Sequence, residues 1–311
     1  MVDVGAWRVD DQFDPYPEGS RDKSAVACPD PASFPFLIPG HRYLFKHSNK
    51  NYPAQFWAEI VAYKVGCQMG VEVPPAFAAF NSNDEDRPAA LIEWFYEWET
   101  EGVRYVPGSN FMNRMILNFD TRRGTQHNVG TILKLLRLFE ARGLIEEGLN
   151  HWGKVFVFDA VIGNTDRHQD NWGVLWLGRG TEIADMRANF SPAFDNGTSL
   201  GHEILERNLL SLQDSARLEK YILRGRHHAK WSIKDEQRMQ HAALVQLYAD
   251  EFPEVRDNIV RCLEVDMGQL EAQLRELCDF DGGIPFTEAR CDMVISLLNA
   301  RIAALSAALG I

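Results

Sequence analysis

The chain has 311 residues, 45% of them hydrophobic and 24% charged, with a formal net charge of −12 and a pI near 5.2. A field of that sign repels nucleic acid and anionic lipid on average, so direct nucleic-acid binding is not expected and a nucleotide site needs its own cations. Mean hydropathy is −0.27 and no apolar run reaches the roughly 18 residues of a membrane span. The five scattered cysteines form no C-x-x-C pair, which argues against zinc and a disulfide framework.

The start, Met1 to Arg8, lacks the basic and apolar pattern of a signal peptide, so a reducing cytoplasm is expected, with secretion as an effector left open. Ala6–Phe13 alternates loosely and reads as a strand, broken by Pro15 and Pro17. In the following Glu18–Ser24, Gly19, Ser20, Arg21, Lys23 and Ser24 could wrap a phosphate through backbone N–H groups and two cations. By itself this stretch reads equally as a solvated turn, because it holds one glycine and no Walker pattern.

His41–His47 alternates with period 2 and predicts a strand with Arg42, Leu44 and Lys46 on one face and Tyr43 and Phe45 on the other. Lys46 is a candidate for the nucleotide phosphates; the alternative is a solvent-facing lysine. Asn51–Gly70 predicts a helix, with Asn51 as cap, Pro53 in the first turn and Gly70 as stop. Glu59 lies on it beside Phe56 and Ile60 and is the expected partner of Lys46. Val71–Phe80 and Ala89–Phe95 read as a hairpin. It leads to a lobe junction where Glu93, Trp94 and Phe95 would meet a purine base, or simply pack as aromatic core.

Residues 105–127 read as irregular. Asn128–Gly143 and Leu149–Ile162 show helical spacing, and Trp172–Leu177 with Thr181–Phe190 predicts a hairpin around Gly178-Arg-Gly180. Beyond Leu205 five helices are expected, over 209–223, 235–252, 253–263, 267–280 and 287–309. Arg224–Lys230 is the densest basic stretch, either a surface for an acidic substrate or an ordinary loop.

The chemistry concentrates at Gly163-Asn-Thr-Asp-Arg-His-Gln-Asp-Asn171 and Phe194-Asp-Asn-Gly197. Asp166 is placed to accept a hydroxyl proton. Asn171, five residues on, and Asp195, after the hairpin, are placed to hold Mg²⁺ on the phosphates of ATP. His168 orients the loop or a phosphate, or is a structural histidine. Each match alone is weak, but the order of loop, strand lysine, helix acid, junction, Asp-x4-Asn and Asp implies phosphoryl transfer.

At these residues the sequence resembles the HipA-like kinase family, in particular its compact members related to Helicobacter secreted kinases and to the short toxins of split systems. Gly163–Asn171 is similar to that family's catalytic loop, and also to the Asn-Thr-Asp-Arg segment of type II phosphatidylinositol 4-kinases. Ser191–Leu200 resembles the metal-aspartate segment, Gly19–Ser24 the short phosphate loop, and Lys46 with Glu59 the lysine and helix acid. The resemblance implies an α+β, two-lobed protein-kinase-like fold, with a small β-rich N-lobe over 1–97 and a mostly helical C-lobe over 98–311. It implies an ATP- and Mg²⁺-dependent protein serine/threonine kinase of toxin or effector type, with an inhibitory antitoxin-type partner and autophosphorylation at Ser20 or Ser24. A phosphoinositide or small-molecule kinase is the alternative on the same fold, and a non-catalytic pseudokinase the alternative of another class. The sequence departs from the family in three ways: Asp170 stands where a basic residue is common, no room precedes Gly19 for an extra N-terminal subdomain, and the G-x-G-x-x-G loop is missing.

Overall fold

The computed structural model describes residues 1–10, 22–84, 87–96, 102–177 and 187–311. The first part of the chain builds a sheet from β1 (Val2–Asp3), β2 (Arg8–Val9), β3 (Lys23–Ala27), β4 (Arg42–His47), β5 (Ala76–Phe80) and β6 (Ala89–Glu93), in the order β1-β5-β6-β4-β3-β2. All neighbours are antiparallel except β1 and β5. Strand alternation sorts the two faces as the sequence predicts. Tyr43 and Phe45 join Val26, Trp7 and Leu91 in a small apolar cluster on one face. Leu44, Ala78, Ala90 and Ile92 face the other way, against a helix.

That helix, α1 (Gln55–Met69), is buried on nearly every side, including Phe56, Trp57, Ile60, Val61 and Val65. A helix apolar all round belongs between two layers, and α1 lies between the sheet and the second half of the chain. Its start differs from expectation. Asn51 is not the cap; the helix begins after Pro53, and the hydroxyl of Ser48 accepts the Phe56 N–H across the loop (2.8 Å). Its end is as expected, with Gly70 left-handed at φ 63°.

The second half contains a three-stranded sheet, β7 (Val103–Pro107), β8 (Gly173–Leu177) and β9 (Arg187–Phe190), and the helices α2 (Gly108–Met115), α3 (Val129–Glu140), α4 (Gly148–Ile162), α5 (Ser215–Arg224), α6 (His241–Glu251), α7 (Arg256–Arg261), α8 (Met267–Arg275) and α9 (Glu288–Leu309). The stretch expected to be irregular thus holds β7 and α2. β8 pairs with β9 over the last four residues of the expected second strand, while the turn at 178–180 and residues 181–186 lie outside the described residues. Asn128 caps α3, its side chain accepting the Thr131 N–H (2.8 Å), and Thr287 caps α9, its hydroxyl accepting the Arg290 N–H (3.2 Å).

Four of the five expected helices after Leu205 are shorter, the stretches 253–255 and 276–279 being 3-10 turns beside α7 and α8. Residues 206–213 form a 3-10 segment before α5, which Asp214 caps, and α6 starts at His241 rather than Asp235. α9 is long and apolar enough to cross a membrane, with a mean hydropathy of 1.5, which corrects the expectation that no such run exists. Its Val294, Leu297, Leu298 and Leu305 are buried in the protein core, and its Arg290 and Arg301 are buried with hydrogen bonds to Ile204 and Ile162 carbonyls. The core of a folded protein accounts for that composition.

Candidate active site

α4 is the central helix of the second half, and it delivers the catalytic-loop segment. It ends at Gly163, left-handed at φ 67°, where a Cβ would collide with the guanidinium of Arg301. Glycine is the residue that meets both demands. The chain then turns tightly: Asn164 Oδ1 accepts the Asp166 N–H (2.9 Å), Asp166 O accepts the His168 N–H (2.7 Å), and His168 O accepts the Asn171 N–H (3.0 Å). Asn171 Nδ2 donates back to Asp166 O (2.8 Å). The acid and the amide singled out from their spacing are therefore held by one hydrogen bond, with the amide oxygen of Asn171 as its remaining polar atom.

Lys46 comes from β4 on the α1 face. It is 4% exposed and lies between two carboxylates, Glu59 Oε1 at 3.0 Å and Asp195 Oδ1 at 2.7 Å. The second oxygen of Glu59 accepts the Asn196 N–H (2.8 Å). One lysine and one glutamate thus connect the sheet and α1 to the segment carrying Asp195. The solvent-facing alternative for Lys46 is overturned, and Glu59 is its buried partner. Asp195 itself has φ 54°, a left-handed conformation uncommon for a residue with a side chain.

Arg167 brings Asn171 and Asp195 close. It is fully buried and grips both oxygens of Asp159 on α4 (2.7 and 3.1 Å). Its outer nitrogens donate to the carbonyls of Asn171 (3.2 Å) and Phe194, and to Asn196 Oδ1 (2.7 Å). Desolvation would raise the Asp159 pKa, but Arg167 and His227 overcome it and hold the carboxyl down at about 2. His227 Nε2 meets Asp159 Oδ2 at 3.2 Å. Neither Asp159 nor His227 was singled out from sequence; the available signal was an acid inside the apolar run Val155–Ile162.

Asp166 behaves differently. Burial pushes its carboxyl above the usual range, and Asp195 adds to the rise, while His168, Arg167 and Arg238 pull it down. His168 turns its Nδ1 to the Asp170 N–H (3.1 Å) and packs edge-on to His228. These contacts tie it to its own loop and to the segment carrying His228.

Two other expectations meet different fates. Gly19, Ser20 and Arg21 lie outside the described residues. Lys23 and Ser24 open β3, with Lys23 in register with Lys46, which puts the end of the expected phosphate loop beside the lysine. At the lobe junction, Glu93 N–H donates to Pro75 O (2.8 Å), Trp94 N–H to Arg42 O (3.1 Å), and Trp94 O meets the His41 ring (2.9 Å). These N–H groups are engaged by neighbouring strands and the Trp94 carbonyl by the His41 ring. Phe95 is packed on Phe194 (5.1 Å) next to Asp195 and edge-on to Tyr105 (5.8 Å).

No group of three or more His, Cys, Asp or Glu among the described residues could hold a metal alone. One carboxylate and one amide oxygen suit Mg²⁺, which usually takes its other ligands from water and substrate phosphates.

A lysine–glutamate pair joined through Asp195, Asn196 and Arg167 to an Asp-x4-Asn loop, between a curled sheet and a helical half, is the arrangement of a kinase-like fold. Residues 17–257 match the HipA-like C-terminal domain, and the chain belongs to that family. Among solved structures it is similar to the Helicobacter pylori proinflammatory kinase CtkA (16% identity, TM-score 0.76, 99% of this chain and 98% of that one). It is also similar to a chain of the Shewanella oneidensis MR-1 toxin–antitoxin complex of HipA, HipB and operator DNA (12% identity, TM-score 0.51, 96% of this chain and 67% of that one). No curated protein matches it in sequence.

Proposed function

We propose that the chain is an ATP-dependent protein serine/threonine kinase of HipA-like type. The observation that carries this reading is the Glu59–Lys46–Asp195 chain of contacts, closed against a loop in which Asn171 is bonded to Asp166. Asp166 accepts the proton of the acceptor hydroxyl, and Lys46 and the 19–24 loop orient the phosphates. Asn171 and Asp195 would hold Mg²⁺, which when bound neutralises charge on the phosphates. Positioning and charge do most of the work in such a transfer, so a carboxylate with a modestly raised pKa suffices as base.

The family resemblance extends the reading to a cytoplasmic toxin-type enzyme that acts on a protein hydroxyl and is restrained by an antitoxin-type partner. The solved HipA–HipB assembly supports such a partner. Ser24, at the start of β3, and Ser20 are the proposed autophosphorylation positions. The test is labelled Mg-ATP with cell lysate, comparing wild type with Asp166→Ala and Asp195→Ala. Transfer is expected to vanish in both variants, and full transfer by either would overturn the assignment. Phosphopeptide mapping of the incubated wild type should find Ser20 or Ser24 modified.

A further inference from the structure

The segment between α5 and α6 folds back on itself beside the catalytic loop. Arg226 and Gln240 form an antiparallel bridge, His227 N–H donates to Met239 O (3.0 Å), and Arg226 Nη1 donates to Arg238 O (2.7 Å). This register sets His228 opposite Arg238. Three contacts pin the fold-back: His227 to Asp159, His228 to His127 (Nδ1 to Nδ1, 3.3 Å), and the His228 ring to the His168 ring (centroids 5.9 Å). The basic stretch Arg224–Lys230 therefore turns its histidines inward, and the returning segment that pairs with it carries Arg238 beside His228.

Arg238 is half-buried and forms no ion pair with any described residue. The charge nearest in effect is Asp166, whose field opposes the desolvation of the guanidinium. A partly desolvated cation without an acid is costly unless an anion joins it. On the Asp166 side of the site, the described cations other than Arg238 are engaged by carboxylates. Lys46 is shared by Glu59 and Asp195, Arg167 is committed to Asp159, and Asp166 and Asp170 add two more carboxylates. A phosphoryl group entering between Lys46 and Asp166 meets several carboxylates, with Arg238 a cation on the Asp166 side that forms no ion pair with a described residue.

Resting on the kinase reading, we propose that Arg238 is a further catalytic residue that binds the phosphoryl group in transit between nucleotide and acceptor. In that step the acceptor oxygen forms its bond to phosphorus as the bond to the nucleotide's bridging oxygen breaks. The hydroxyl proton passes to Asp166, and the nucleoside diphosphate leaves with the bond's electron pair. Arg238 donates N–H hydrogen bonds to the equatorial phosphoryl oxygens and exchanges neither proton nor electron. A guanidinium fork suits this anion.

The experiment titrates ADP and ADP–aluminium fluoride, a planar phosphoryl mimic, into wild type, Arg238→Ala and Arg238→Lys with Mg²⁺, alongside transfer kinetics. Arg238→Ala should bind ADP like wild type, which also reports an intact fold, but lose roughly 10²-fold or more in affinity for the fluoride complex. Its kcat should fall by a similar factor, as for other preorganised donors to developing charge, with KM for ATP changed less than about threefold. Arg238→Lys should recover part of both. Unchanged fluoride affinity in Arg238→Ala, or a rise only in the KM for a protein acceptor, would overturn the role, the latter pointing to an acidic acceptor residue. Wild type without transfer or fluoride binding would instead overturn the kinase reading itself.

Discussion

The guanidinium of Arg167 joins two segments that the chemistry needs side by side, the loop ending at Asn171 and the turn ending at Asp195. It does so from a buried ion pair with Asp159, and breaking such a pair leaves an uncompensated charge. Arg167→Met should therefore lower stability by about 3–5 kcal/mol in urea unfolding. Adding Asp159→Leu to it should recover a good part of that loss, which a purely steric defect would not allow. The raised Asp166 pKa gives a second prediction. The base works deprotonated, so kcat should rise with pH through a value above the ordinary carboxylate pKa of 3.8. A pH–rate profile flat down to that ordinary value would remove Asp166 as the base. Of these residues Asp166, Asn171, Asp195, Lys46 and Glu59 were legible in the sequence, because phosphoryl transfer demands their types in that order. Asp159, His227 and Arg238 were not, since their meaning comes from contacts between segments distant in sequence.

Helix α4 positions the loop through the glycine that caps its end. Gly163 combines a left-handed backbone with contact against Arg301, whose Nη1 also caps the helix at Ile162 O (2.8 Å). Gly163→Ala should destabilise by about 1–3 kcal/mol, from the backbone penalty and the displaced guanidinium. It should also reduce transfer, since Asp166 lies three residues further on. Unchanged unfolding midpoint and activity would show that the turn tolerates the methyl. Elements of this kind were readable: α3, α4 and α9 carry periodic apolar faces or the caps Asn128 and Thr287. β7 was not readable, because its five residues find their partner in β8, from Val103↔Leu177 to Pro107↔Gly173. Pairing at that separation leaves no mark in a local window. The start of α1 was misread for a similar reason, its first turn being satisfied by Ser48 rather than by Asn51.

At the scale of the molecule, buried histidines set the acid limit. Burial, then neighbouring cations and histidines, hold His127 well below its ordinary 6.5, and His228 and His241 at about 3. With folded values depressed, the unfolded chain binds more protons, so stability falls as pH drops below about 6.5. The slope is about 1.4 kcal/mol per pH unit for each such histidine, until its folded value is reached. Asp159, held at about 2, contributes to the loss only below roughly pH 4. Both ring nitrogens of His241 are buried without a hydrogen-bond partner, so His241→Leu should flatten the slope between pH 6.5 and 4 in urea unfolding. An unaltered slope would exclude it as a contributor.

Helix α1 shares one apolar core with α4, α8 and α9, and Trp57 Nε1 donates to Ile284 O (3.0 Å) near the far end of the chain. Heat should therefore find no seam at which to part the lobes, and calorimetry should record one transition. A chain that melts in a single step turns any guest in the cleft into a thermometer reading, worth about 2.7 kcal/mol at a hundredfold excess over Kd. Acceptors can then be sought by warming the protein with candidates, before a single phosphate has been counted.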